Sequence, residues 1–288
     1  MNVPVPSILR EVRLDSAREL VDHLIHEYAD GRDYIYRGQS IADWLLQPSA
    51  WRPGSQTQKL ADVLASTPEV IDNPALWGLV QGETIEQRIA RIVPSNDCEK
   101  RQRVKPLMAR LIAENFIINR FVEGCDLAGL HVPGVSHPQA SFEVVFDAFF
   151  NVPRLNFANS WALAQHVGVP TRLLDFSENP MKALFFATYG SGKHLRENLA
   201  DPAPSKDKCF AVWVLGQPVE TDVPALLDRP TRLFKVLRST VPFLHAQDGL
   251  FLCSLSASNR YFIDNGQWPS IEAMLPGWSI SKVTAPLR

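Results

Sequence analysis

Apolar positions first fall at helical spacing in residues 17–28, where Ala17, Leu20, Val21, Leu24, Ile25 and Tyr28 mark one face. Ser16 followed by Glu19 has the spacing of a capping box, and the Asp30-Gly31 pair ends the segment. Residues 33–38, DYIYRG, are aromatic and β-branched and predict a strand. The signal weakens over 53–95, where short amphipathic pieces are broken by Pro68 and Pro74; Thr84 then caps a helix carrying Ile85, Ile89, Ile92 and Val93. The longest helical pattern runs over about 99–123, with Leu107, Leu111, Ile118 and Val122 near one face and Pro106 placed to kink or divide it. Residues 126–138 read as a loop, and 141–150 as a short aromatic helix or strand.

The richest stretch is 163–187, LAQHVGVPTRLLDFSENPMKALFFA. A helix ends near His166, stopped by Gly168 and Pro170, and residues 171–176 predict a short buried strand. Ser177 is the expected N-cap of a helix from about Glu178, with Pro180 in its first turn and Ala183, Leu184, Phe186 and Ala187 on its apolar face. Further on, CFAVWVL at 209–215 predicts a central strand, 232–238 a strand or short helix, and 250–255 a strand. These elements add up to a mixed α+β domain with a polar constellation around Arg37, His166, Arg172, Asp175 and Gln247.

Candidate chemistry gathers in three places. Gln165, His166, Arg172, Asp175 and Asn179 flank a strand inside a core, an arrangement that is costly unless they pair with each other or meet a ligand. Arg37 ends a short aromatic strand and is followed by Gly38 and Gln39; its planar guanidinium suits a phosphate or carboxylate, and the glycine would let a ligand approach the backbone. The alternative is an arginine paired with a structural carboxylate. The segment WLLQPSAWR at 44–52 adds Arg52, as a packed turn or part of a pocket wall. Gln247 and Asp248 precede the last predicted strand.

Several classes are disfavoured. A net charge of −2 makes no overall case for nucleic acid or membrane binding. Lys100, Arg101, Arg103 and Lys105 form the one local basic run, read as a phosphate-gripping patch or a solvated helix face. The four cysteines are far apart without CxxC spacing, and His23 and His26 have no third ligand nearby, so no metal site is expected. Gly190-Ser191-Gly192-Lys193 is followed by His194 where a phosphate loop needs Ser or Thr, and reads as a linker. No apolar run reaches membrane-spanning length and the N-terminus lacks a signal-peptide core, which predicts a cytoplasmic protein without membrane partners.

Together, YRGQ at 36–39, the 163–187 stretch and AQDGLF at 246–251 resemble the FRG domain family in order and spacing. The resemblance implies a single FRG-like domain over 1–288 with a helical insertion at about 53–150. Because family members commonly continue past the equivalent of 282–288, it also implies a short or truncated C-terminal end. FRG domains are distantly similar to ADP-ribosyltransferases, which implies a small mixed or antiparallel sheet core and NAD as substrate. On that likeness Arg37, Asp175, Gln247 and Asp248 would be catalytic, and Arg37, Gly38, Gln39, His166, Arg172 and Asn179 would bind NAD. Gln247 stands where transferases usually carry a glutamate; an amide can hydrogen-bond ribose but cannot act as a base, so Asp248 or Asp175 takes that role or the site binds without catalysing. The implied setting is a bacterial toxin or phage-defence effector acting on nucleic acid or protein, with an antitoxin or neutralising partner. The competing readings are a non-catalytic ligand- or nucleic-acid-binding module, and a buried polar network that only holds the fold.

Overall fold

A computed structural model describes residues 8–28, 33–79, 81–132, 158–197, 209–216, 231–236, 248–254, 256–275 and 278–286. Strand β1 (Ile8–Arg13) leads into α1 (Ala17–Glu27) and β2 (Tyr34–Gln39). A helical layer follows: α2 (Gln56–Ala65), α3 (Pro68–Ile71), α4 (Ile85–Ile92), α5 (Cys98–Gln102) and α6 (Val104–Leu127). The chain then forms α7 (Ala158–His166), β3 (Leu173–Ser177), α8 (Pro180–Glu197), β4 (Cys209–Gly216), β5 (Thr231–Phe234), β6 (Gly249–Ser254), α9 (Ser256–Asn265) and β7 (Ser279–Pro286). The fold is α+β, with a seven-stranded mixed sheet in the order β1-β7-β4-β2-β3-β6-β5. Only the β1–β7 pair is parallel among these ladders.

Strand alternation sorts the two faces of this sheet. Tyr36, Val212, Val214 and Val283 face α1 and α8, meeting Leu20, Leu24, Ala183 and Ala187. Ile35, Trp213, Leu215, Leu174 and Leu252 face the other way and share one core with Trp51, Trp77, Leu107, Met108 and Leu111. The helices of the predicted insertion are therefore packed into the same core as the sheet. The central strand expected at 209–215 is β4, internal in the sheet and buried along almost its whole length.

Local signals explain most boundaries. Ser16 Oγ accepts from Glu19 N–H, while the Glu19 carboxylate reaches back to Asp15 N–H rather than to Ser16. Thr84 and Gln87 complete a reciprocal capping box. Pro106 divides the long helical pattern: it has no N–H to donate to the carbonyl four residues back, so α5 stops at Gln102 and α6 starts anew at Val104.

Other expectations need correction. The cap of α8 is Asn179 rather than Ser177; Asn179 Oδ1 accepts from Met181 N–H at 2.9 Å, Pro180 opens the helix, and Ser177 Oγ holds Asn179 N–H one step earlier. Residues 190–193 are not a linker but part of α8, where Ser191 is fully buried and donates to Ser40 O at 2.8 Å. Gly190 lets the helix lie close to Ser40, since a Cβ there would stand 3.0 Å from Ser40 Cβ. Of the strand or short helix expected at 232–238, the described part is strand to Phe234 in β5, and 141–150 and Gln247 lie outside the described residues.

Candidate functional site

β2 and β3 share one ladder pair, Tyr36 with Ser177, whereas β2 and β4 share six over 34–39. Past Tyr36 a side chain takes over from the missing ladder. Arg37 donates Nη1 to the backbone carbonyl of Asp175 at 2.7 Å and to its carboxylate at 2.5 Å. The Arg37 side chain is 13% exposed and that of Asp175 49%, so where the β2–β3 ladder ends the pair lies at an opening to solvent rather than in a closed core contact.

Asp175 Oδ1 also accepts from Gln165 Nε2 at 2.9 Å. Gln165 sits in the last turn of α7, whose end is set by Gly168 at φ +90°. Gly168 N–H bonds Gln165 O at 3.0 Å and Val169 N–H bonds Ala164 O at 2.9 Å, the paired contacts of a Schellman ending that requires the left-handed glycine. Burial alone would raise the Asp175 pKa, but the charge and hydrogen bond of Arg37, helped by Arg52, hold the carboxyl below its usual value. For Arg52, burial and the like charge of Arg37 lower the pKa, with Asp175 opposing. Arg52 is anchored by its own Nε on Gln47 O at 3.2 Å. Two guanidiniums thus act on one carboxylate, leaving a net positive site that suits an anion with a hydroxyl beside it.

The other candidates fall elsewhere. Arg172 does not pair with Asp175. Residues three apart on a strand face opposite sides, and Arg172 turns toward α6, where its Nε donates to Glu114 at 2.5 Å with both side chains buried. Gly38 does not receive a ligand: a Cβ there would lie 1.9 Å from Ala183 O and 2.6 Å from Ala187 N, so α8 itself occupies the space. Gln39 is 4% exposed and committed at both ends, accepting from Trp213 Nε1 at 2.6 Å and donating to Leu45 O at 3.3 Å. Asn179 is spent on the α8 cap, and His166 is exposed at the end of α7. Asp248 has a left-handed backbone, φ 46°, and an ion pair with Lys182 at 2.6 Å.

The side chains of the basic run at the start of the α5–α6 region each have a partner within the chain. Lys100 pairs with Asp264 and Lys105 with Asp72, Arg103 holds Glu99 and the carbonyls of Ile263 and Asp264, and Arg101 donates to Val93 O. Three of the four cations are thus matched by a carboxylate, and Arg101 by a carbonyl and an amide oxygen. Among the described residues no group of His, Cys, Asp and Glu could hold a metal ion, and no helix is long and apolar enough to cross a membrane.

Sequence reasoning overlooked Glu114, Ser49 and Lys182. Glu114 had a readable signal, because it lies on the same helical stripe as Leu107, Leu111 and Ile118, where an acid needs a buried partner. Ser49 and Lys182 carry no comparable pattern.

Comparison with curated proteins and with solved structures yields no match. The family model of the FRG domain does match, over residues 133–195, a span that contains Gln165, Arg172 and Asp175; YRGQ at 36–39 and AQDGLF at 246–251 lie outside it. The resemblance that rested on three stretches is thus supported through its longest one, and the chain carries an FRG domain.

Proposed function

We propose that the chain binds NAD at the opening between β2 and β3 and transfers its ADP-ribose to a nucleic acid or protein acceptor, as a bacterial toxin or defence effector. The observation that carries this reading is Arg37 and Arg52 acting on the half-exposed Asp175 where the central ladder stops. The guanidiniums offer planar forks for a pyrophosphate. Asp175 stays ionised at neutral pH, which suits it to stabilise the positive charge that develops on ribose as the bond to nicotinamide breaks. The FRG domain supports the reading by its distant similarity to ADP-ribosyltransferases, which is analogy at the level of fold.

The same electrostatics favour a second reading, binding without transfer. A carboxyl held below its ordinary pKa is a weak proton acceptor, and Asp248 is already paired with Lys182. Nicotinamide release from NAD by the purified full chain separates the two, with and without added RNA, DNA or protein extract and with Arg37→Ala as control. Acceptor-dependent release that is lost in Arg37→Ala supports transfer. NAD binding without release in any mixture supports the second reading, and a folded protein that neither binds nor cleaves NAD overturns both.

A further inference from the structure

We infer that Ser49, Thr171 and Gln165 form a positioning relay that fixes the orientation of the Asp175 carboxylate and leaves its Oδ2 as the atom presented to a ligand. The inference rests on the β2–β3 opening being the ligand site.

The relay begins in the single helical turn at Ser49–Trp51. Ser49 Oγ donates to Thr171 O at 3.2 Å and accepts from Thr171 N–H at 3.0 Å, while Ala50 N–H also holds Thr171 O at 3.0 Å. Thr171 is 2% exposed, and its hydroxyl donates to Gln165 Oε1 at 2.6 Å. Gln165 Nε2 then donates to Asp175 Oδ1 at 2.9 Å. Only one direction of donation satisfies the chain. An ionised carboxylate can only accept, so the amide nitrogen faces Asp175, its oxygen faces Thr171, and the threonine hydroxyl must donate.

At its end, Oδ1 receives two donors, Gln165 Nε2 and Arg37 Nη1. No hydrogen bond to Oδ2 is made among the described residues, although the side chain is 49% exposed. One oxygen is therefore locked, and the other has no donor among the described residues. The charged groups acting on this carboxylate are Arg37 and Arg52, and neither contacts Gln165 Oε1 or the threonine hydroxyl. The relay ties the site to the segment that carries Arg52, three residues beyond Ser49, so both sides of the anion site share one scaffold.

The test follows the Asp175 carboxyl carbon by NMR through a pH titration of the full chain, together with binding of ADP-ribose as probe. Gln165→Leu removes the donor; Thr171→Val removes the hydroxyl that orients it; Gln165→Glu keeps the acceptor for Thr171 but sets two carboxylates side by side. Expected results are an upward shift of the Asp175 midpoint in Gln165→Leu, a smaller one in Thr171→Val, and a shared proton at raised pH in Gln165→Glu. Loss of a hydrogen bond to a charged group should weaken ADP-ribose binding about tenfold in Gln165→Leu. Gln165→Asn, shorter by one methylene, should restore neither property. Folded variants with a lowered melting temperature but an unmoved Asp175 midpoint would overturn the relay. If the midpoints shift as expected while the wild-type chain ignores ADP-ribose, the relay stands and the proposed ligand fails.

Discussion

Arg172 on the approach to β3 and Glu114 on α6 form an ion pair of 2.5 Å in which the side chains are 1% and 5% exposed. Neither group is fully satisfied by the described residues, among which the buried Arg172 Nη1 and Glu114 Oε1 have no hydrogen-bond partner. Such a pair contributes little net stability when intact but is costly to break from one side, because the remaining charge is stranded. Glu114→Gln should therefore destabilise the chain by about 3–5 kcal/mol. Asp175→Asn should cost much less, since its carboxylate is half exposed and Arg37 keeps the Asp175 carbonyl as an acceptor. Urea denaturation of the two variants reads the difference directly.

Gly38→Ala is expected to be more disruptive than any charge removal at the opening. The added methyl would meet the backbone of α8 at Ala183 and Ala187, which cannot move without unseating the helix from β2. A cost of about 3 kcal/mol or more follows from forced overpacking. A variant with unchanged thermal stability would show that the helix can back away from the strand.

Asp175 gives the opening a defined acid response. Its folded pKa lies below the ordinary value of 3.8, so the stabilisation is present above that value and is lost as pH falls through the folded pKa. Arg37→Ala removes the main cause of the depression and should flatten this part of the stability profile. Melting temperatures from pH 5 down to pH 2, wild type against variant, check the sign.

Thiol chemistry offers an independent check on the core. Cys98 is exposed, whereas Cys253 is buried on β6 with its pKa pushed up to about 12 by desolvation. In native protein Cys98 should react with a disulfide reagent within minutes, while Cys253 should react only as the sheet opens. Rapid modification of Cys253 in the folded state would contradict the packing of α7 over β3 and β6.

Much of this architecture is legible in the residues themselves. The Ser16, Thr84 and Gly168 signals set helix ends by local hydrogen bonding, and β4 announces itself by an unbroken apolar run. The pairing of charges was not legible. Arg172 and Asp175 are close in sequence, but strand alternation sends them to opposite faces, to partners 58 and 138 positions away. Gly38 misled for a related reason: a glycine beside an arginine suits a ligand, and nothing local reveals that a helix 145 residues later needs the same space. Long-range packing decides such cases, and periodicity carries no information about it.

The lone Tyr36–Ser177 rung has a mechanical consequence. Four strands on one side and three on the other are each stitched internally by ladders of up to eight pairs, as between β4 and β7, yet the two panels are joined by one pair and the Arg37 side chain. The hydrogen-bonded continuity of the sheet is thinnest along this midline. A molecule wedged beside Arg37 would meet little resistance from main-chain pairing there; what holds the two panels in line is the core beneath, where Ile35, Trp213 and Leu215 of one panel pack with Leu174 and Leu252 of the other.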